Sequence, residues 1–251
     1  MSQINKQKAV IITGGTTGLG AALVEHFVSS GRTVVMNYRS EKAATAIVDR
    51  IASRKLGGNV LPAYADVRNR SEAQSMFELA EKESGGADVL INSAGINRDK
   101  PFIDLTDDDW DDVVDTHLKG TFICSQLFVK NFSGKSGTII NLGAACGVQG
   151  RQNGANFCSA KGGVHALTKC MARELAPQIR VNCLLPSAVD TEEVRERYHL
   201  DTKEGLEKVL SGIPMKRLGA HSDVLEMVDT MISAKFTTGS TFYVNGGEFM
   251  C

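Results

Sequence analysis

Residues 13–20 have the sequence Thr-Gly-Gly-Thr-Thr-Gly-Leu-Gly, follow the short apolar run Ala9–Ile12, and open an amphipathic helix. A strand that ends in a glycine turn and enters a helix leaves the first backbone N–H groups of that helix unpaired, and these groups bind phosphate. Gly14 and Gly18 remove side chains where the backbone must approach a ligand, and Gly20 lets the helix pack close to the strand. The spacing is G-x-x-x-G-x-G rather than G-x-G-x-x-G, so the motif alone predicts either a nucleotide site or a simple turn.

The spacing of apolar residues along the rest of the chain predicts a regular alternation of strands and helices. The predicted strands are Ala9–Ile12, Thr33–Tyr38, Gly58–Ala65, Asp88–Asn92, Gly137–Leu142, Ile179–Leu185 and Thr241–Asn245. The predicted helices are about Leu19–Ser30, Glu41–Arg54, Ser71–Lys82, Thr106–Asn131 with a bend, Phe157–Ala176 and His221–Ile232. This alternation predicts an α/β fold in which one doubly wound parallel sheet of seven strands carries helices on both faces. Right-handed crossovers bring the strand ends, and hence the site, to one edge of the sheet.

The length and the net charge limit the classes of protein to which this chain can belong. A chain of 251 residues is long enough to bury one large core, so we expect one domain over residues 1–251. The net charge of −1 leaves no basic stripe, and neither nucleic acid nor an anionic membrane is expected as a partner. Ser2–Lys8 is polar and the apolar run after it is too short to span a bilayer, which predicts a cytoplasmic protein.

The six cysteines form no C-x-x-C pair and lie mostly in apolar surroundings. This usage predicts reduced thiols in a reducing compartment, and no metal site is predicted. The cysteines are Cys124, Cys146, Cys158, Cys170, Cys183 and Cys251.

The end of the second strand carries the signal for the nucleotide type. An acidic residue at this place would bind the 2′-hydroxyl of NAD, but the chain has Asn37-Tyr38-Arg39-Ser40. The carboxylate is missing and a cation is present, as a 2′-phosphate requires, which favours NADP(H). The alternative is that Arg39 is only a surface residue that follows a strand.

These motifs, taken together, resemble the short-chain dehydrogenase/reductase family, and within it the 3-oxoacyl-[acyl-carrier-protein] reductases. The resemblance covers the whole chain and implies a Rossmann-like fold. Its motifs are Thr13–Gly20, Asp66-Val67, Asn92–Gly95 with Ser93 in place of a second Asn, His117–Phe122, Pro214–Gly219 and Val244–Gly247.

The resemblance also implies which residues bind the cofactor. Thr17 stands where the family carries a basic residue in the glycine loop, and its neutral side chain lowers the expected affinity for a 2′-phosphate. The implied NADP(H)-binding residues are Gly14, Thr16, Gly18, Leu19, Gly20, Arg39, Ser40, Asp66, Val67, Asn92, Ala94, Gly95, Lys161, Pro186, Val189 and Thr191.

Family chemistry uses an Asn, a Ser, a Tyr and a Lys, and this chain departs at three of those positions. The Asn position is His117, the Ser position is Ala144 and the Tyr position is Phe157, so only Lys161 remains. Phenylalanine cannot donate a proton and alanine cannot hydrogen-bond an oxyanion. Ordinary Ser-Tyr-Lys ketoreductase activity is therefore predicted to be absent or strongly impaired.

Three hypotheses follow. In the first, the chain reduces a carbonyl or β-ketoacyl-like substrate with a water, held by Lys161 and a His117 that titrates near neutrality, as the acid. In the second, it is a non-redox enzyme with Cys146 or Cys158 as the nucleophile. In the third, it is a silent subunit or partner of an active reductase.

The resemblance implies further partners and a lid. Family members form homo-oligomers, so a tetramer or dimer is expected, and an acyl carrier protein is a possible partner. Exposed cations for such a carrier are Lys130, Lys135 and Arg173. Residues 187–211 would form a mobile substrate lid that begins at Ser187, where the family has glycine, and its Tyr198 or His199 could replace the missing acid.

Overall fold

The computed structural model describes residues 7–250, and its centre is one parallel sheet of seven strands in the order β3-β2-β1-β4-β5-β6-β7. The predicted fold class is confirmed, and each strand boundary lies within one residue of the predicted one. The strands are β1 (Ala9–Ile12), β2 (Thr33–Tyr38), β3 (Asn59–Tyr64), β4 (Ala87–Asn92), β5 (Gly137–Leu142), β6 (Ile179–Pro186) and β7 (Thr241–Val244).

Ten α-helices connect and flank the strands in the described part of the chain. The predicted helix over residues 106–131 is three consecutive segments, because a π-helical turn at Asp115–Lys119 separates two α-helices. The helices are α1 (Gly18–Ser29), α2 (Glu41–Arg54), α3 (Arg70–Ser84), α4 (Asp107–Val114), α5 (Gly120–Lys130), α6 (Cys146–Gln149), α7 (Ala155–Leu175), α8 (Glu192–Tyr198), α9 (Lys203–Gly212) and α10 (His221–Ser233).

The central strands β1, β4 and β5 are buried on both faces, which explains their nearly continuous apolar sequences. Val10 and Ile12 pack on one face with the apolar sides of α1, α2 and α10. Ile11 and Leu90 pack on the other face with α3, α5 and α7. Period-2 alternation within β1 therefore distributes the core to both sides of the sheet.

The winding of the sheet reverses between β1 and β4, which are parallel neighbours despite their separation in sequence. At such a switch point the loops after the two strands run in opposite directions and leave a crevice at the carboxyl ends. The glycine loop after β1 and residues 93–101 after β4 border this crevice. The fold thus assigns the site to this edge.

Candidate cofactor and active-site cleft

The glycine loop is shaped by backbone approaches that a side chain would block. Gly14 has a φ of +65°, and a Cβ added there would lie 2.7 Å from the Cα of Ala94. A Cβ added to Gly20 would lie 2.1 Å from the carbonyl oxygen of Gly14. The N-cap residue Thr17 makes no side-chain capping bond, so the amides that open α1 stay available to a ligand.

Asn37 supports the same loop from β2. Its Oδ1 accepts a hydrogen bond of 3.0 Å from the N–H of Gly14, and its Nδ2 donates one of 2.8 Å to the carbonyl of Ala65. The side chain is buried and so joins the loop to the segment after β3. In the sequence, Asn37 was considered only as a place where an acidic residue was absent. Its structural role could have been recognised, because it is a single amide that follows three apolar residues in a predicted buried strand.

Thr13 makes the matching link to β4. Its hydroxyl oxygen accepts hydrogen bonds from the backbone N–H groups of Ser93 and Ala94 at 2.9 and 3.0 Å. The loops after β1 and β4 are therefore held together across the switch point.

The part of the cleft that follows β2 and β3 is bordered by Arg39 and Asp66. Arg68 forms a 2.7 Å ion pair with Asp66, and its hydrogen bond lowers the pKa of the Asp66 carboxyl. Arg39 lies 3.5 Å from the same carboxylate with about half of its side chain exposed. Because Arg68 already pairs with Asp66, Arg39 remains available to an incoming phosphate.

The cleft has a volume of about 1500 Å³, and the predicted cofactor residues line it with one exception. Asn92 is buried in the core instead, where its Nδ2 donates to the Ser125 hydroxyl (3.0 Å) and the Asn141 Oδ1 (2.8 Å). The Asn92 side chain does not line the cleft, because the last residue of β4 projects into the sheet packing, and the cofactor-binding role of Asn92 stays a prediction. The cofactor-binding role of the remaining residues stays a prediction.

Lys161 lies at the base of the cleft on α7. Its side chain is 8% exposed, and its Nζ donates a 2.6 Å hydrogen bond to the carbonyl of Leu142. Burial lowers the pKa of the ammonium from 10.5 to about 8. Lys161 therefore holds a proton at neutral pH that it can release more readily than an ordinary lysine.

His117 is buried against the loop after β4 by the π-helical turn. Its Nε2 lies 2.8 Å from the carbonyl and 3.1 Å from the N–H of Ile96, and its buried Nδ1 has no hydrogen-bond partner. Burial, and then the charge of Lys161, lower the pKa of the imidazole to about 3. The expectation that His117 titrates near neutrality is wrong for this geometry, since the ring stays neutral at neutral pH.

Phe157 lies where three of these groups converge. The His117 ring packs edge-on against it with the centroids 5.0 Å apart and the planes at 83°. Lys161 Nζ lies 5.6 Å from the ring centroid of Phe157, and the guanidinium carbon of Arg151 lies 5.1 Å from it. Ala144 lines the same cleft and offers no hydrogen-bonding side chain.

Comparison with known proteins decides the family. The family model described as short chain dehydrogenase matches residues 8–201. The chain belongs to the short-chain dehydrogenase/reductase family.

Similar proteins match this short-chain dehydrogenase/reductase over nearly its full length. It is 35% identical to the 3-oxoacyl-[acyl-carrier-protein] reductase FabG of Staphylococcus aureus strain Mu50, with 97% of this chain and 98% of that protein covered. It is 32% identical to the FabG of Haemophilus influenzae over the same shares. The crystal structure of a short-chain dehydrogenase/reductase, glucose/ribitol dehydrogenase, from Brucella melitensis superposes with a TM-score of 0.89 at 27% identity and covers 100% of both chains.

Arg151 belongs to an ion-pair network that sequence reasoning missed. Its two terminal nitrogens donate to both oxygens of Asp99 at 2.7 and 2.9 Å. Arg197 on α8 lies 3.6 Å from Asp99 and 2.6 Å from Glu193. The network joins the loop after β4, the loop after α6 and the helix α8, and no local pattern could have indicated a cluster that only tertiary contacts assemble.

Cys146 and Cys158 lie in contact beside Arg151. Burial raises the pKa of the Cys146 thiol to about 11, so it is protonated at neutral pH and a poor nucleophile. The geometry does not favour the predicted role of Cys146 as a nucleophile. Cys251 lies outside the described residues.

Residues 187–211 cover the open side of the cleft as the short helix α8 and most of α9. Tyr198 and His199 both line the cleft, and 41% of Tyr198 is exposed. Mobility of this segment and a catalytic role for either residue stay predictions. Among residues 7–250, no helix is long and apolar enough to cross a membrane.

Proposed function

We propose that this short-chain dehydrogenase/reductase is an NADP(H)-dependent carbonyl reductase that works without a tyrosine acid. The observation that carries the proposal is Lys161, a buried ammonium with a pKa of about 8 that faces Phe157 in the cleft. The likeness to FabG proteins, which are named as 3-oxoacyl-[acyl-carrier-protein] reductases, supports carbonyl reduction as the reaction class. A 3-oxoacyl thioester is accordingly the first substrate to test.

The cleft residues fit a phosphorylated dinucleotide. The glycine loop offers unpaired helix amides to a pyrophosphate, and Arg39 with Ser40 lies where a 2′-phosphate would be bound. The small residues Ala94 and Gly95 line the same cleft. A bound NADPH would supply the hydride to the substrate carbonyl carbon.

In the proposed mechanism Lys161 supplies the proton that the carbonyl oxygen gains. Its ammonium attracts the developing oxyanion, transfers one proton directly or through a water, and becomes a neutral amine that solvent protonates again. His117 stays neutral and orients the loop after β4 through Ile96. Because no hydroxyl is present at Ala144 or Phe157, we expect rates about 10²–10⁴-fold below those of a reductase with the full set.

The test combines binding with turnover. NADPH and NADH binding are measured by fluorescence, and a 3-oxoacyl thioester is then added while the absorbance of the reduced nicotinamide is followed. Tight NADPH binding and slow oxidation that Lys161→Ala abolishes, while the exposed Lys169→Ala retains it, would support the proposal. NADPH binding without oxidation would leave the non-redox-enzyme and silent-subunit hypotheses, and no binding of either nucleotide would refute the cofactor assignment.

Partner proposals rest on the same likeness. A homodimer or homotetramer is proposed, and light scattering on the purified chain measures its mass. Docking of an acyl carrier protein to the exposed Lys130, Lys135 and Arg173 is proposed as well, and loss of binding in a triple Ala variant tests it.

A further inference from the structure

Arg151 lines the cleft and keeps N–H donors that Asp99 does not use. Asp99 takes the edge formed by the two terminal nitrogens, at 2.7 and 2.9 Å. A guanidinium has five N–H donors in a fixed fork, so the edge that contains Nε remains for a second acceptor. The thiol of Cys146, which is a weak acceptor, also hydrogen-bonds the Arg151 side chain. About 21% of that side chain is exposed.

The guanidinium is held rigidly in this position. Its carbon lies 5.1 Å from the ring centroid of Phe157, and Asp99 is itself fixed by Arg197 of α8 at 3.6 Å. A donor group that is already ordered loses little conformational entropy when a ligand binds. Arg151 is therefore preorganised to bind an acceptor in the cleft.

The charge beside Phe157 favours an anionic acceptor. Among the described residues Lys161 forms no ion pair, and its ammonium hydrogen-bonds only a backbone carbonyl. The ammonium lies 5.6 Å from the ring centroid that Arg151 also flanks. Asp99 already compensates the charge of Arg151, so a neutral acyl chain would leave the buried Lys161 ammonium without a counter-ion, whereas a carboxylate would provide one.

We infer that Arg151 binds the carboxylate of an oxo acid, a substrate whose carbonyl then lies beside Phe157 and Lys161. This inference rests on the proposed carbonyl reduction and narrows its substrate to carbonyl compounds with a nearby carboxylate. Arg151 is the residue that determines this specificity, and Asp99 and Arg197 position it.

The experiment compares a charged and a neutral 3-oxo compound, acetoacetate and its ethyl ester, on the NADPH-loaded protein. The dissociation constant of each probe is measured by calorimetry, and its kcat/KM by NADPH oxidation. Wild-type protein is expected to bind the acid at least about 10-fold more tightly than the ester. Arg151→Gln is expected to weaken acetoacetate binding at least about 10-fold and to change ester binding by less than about 2-fold. The control Arg98→Gln removes a neighbouring exposed cation that does not line the cleft and should change neither value.

The outcomes separate this inference from the proposed function. Equal binding of acid and ester, or acetoacetate binding that survives Arg151→Gln, would overturn the inference even if NADPH is oxidised. Arg151-dependent binding of acetoacetate without oxidation would uphold the carboxylate site and refute the reductase proposal. If Arg151→Gln does not fold, Arg151→Lys serves instead, because an ammonium keeps the charge but cannot form the two-pronged contact, and undiminished binding would then refute the inference.

Discussion

The ring of His117 occupies the space that any side chain at Gly95 would need. A Cβ built at Gly95 lies 2.2 Å from His117 Cε1, far inside van der Waals contact. The two residues come from different elements, the loop after β4 and the π-helical turn between α4 and α5. The placement of His117 in the cleft wall therefore depends on a glycine 22 positions earlier in the chain.

This contact predicts a coupled pair of variants. Gly95→Ala is expected to destabilise the protein by about 1–3 kcal/mol, because the histidine must leave its packed position. In the double variant Gly95→Ala/His117→Ala, the clash is absent, and the two effects should be non-additive by at least about 1 kcal/mol. Urea unfolding measures each term, with Gly57→Ala as the control because its Cβ would meet only the Cα of Gly31 at 3.8 Å. Simple additivity would contradict the close contact.

The burial of Lys161 predicts a pH-dependent stability. Its folded-state pKa of about 8 lies below the ordinary 10.5, so between these values the folded chain binds fewer protons than the unfolded chain. Stability must then rise with pH in that window, and the cost of burying the charge is complete below pH 8. Relative to Lys161→Met, the free energy of unfolding of the wild type should increase by up to about 3 kcal/mol from pH 7.5 to 10.5. Parallel curves for the two proteins would show that the ammonium is not desolvated.

We expect Arg39 to determine the preference of the protein for NADPH over NADH. Arg39→Ala should raise the dissociation constant of NADPH at least about 10-fold, because one charge-assisted contact to the 2′-phosphate is lost. NADH lacks that phosphate, so its binding should change by less than about 2-fold. Fluorescence titration of both nucleotides gives the ratio, and the exposed Lys130→Ala on α5 is the control for a general change of charge. An equal loss for both nucleotides would assign Arg39 to a different role.

Restoring two hydroxyls should accelerate reduction. In Ala144→Ser/Phe157→Tyr, the phenol regains a neighbouring Lys161 ammonium that lowers its pKa, and the serine gives the oxyanion a donor. We expect kcat/KM for a 3-oxoacyl thioester to rise about 10²-fold or more. The exposed Phe122→Tyr on α5 makes the same chemical change away from the cleft and should have no effect. A double variant no faster than this control would mean that some other feature of the cleft limits the reaction.

Local sequence was sufficient for the elements and for most of the cleft wall. Buried parallel strands such as Ala9–Ile12 are continuously apolar, and amphipathic helices follow at a different period, so both can be recognised without tertiary information. The glycine turn and Arg39 lie beside their strands in sequence, and parallel winding takes all such loops to one edge. The break at Asp115–Lys119 was expected only as a bend, because a single π-helical turn shifts the apolar spacing by about one residue, which the sequence pattern does not distinguish from a kink.

By itself the sequence determined the fold, the family and the absence of hydroxyls at Ala144 and Phe157, since each depends on short-range pattern or residue identity. Tertiary structure alone decided the protonation state of His117, the low pKa of Lys161 and the pairing of Arg151 with Asp99 at the cleft. Those properties arise from desolvation and from partners such as Ile96 and Asp99 that lie far away in sequence, and the electrostatics of a buried group depend on everything packed around it. The same difference explains Asn92, whose motif indicated a ligand contact while its side chain is buried in the core.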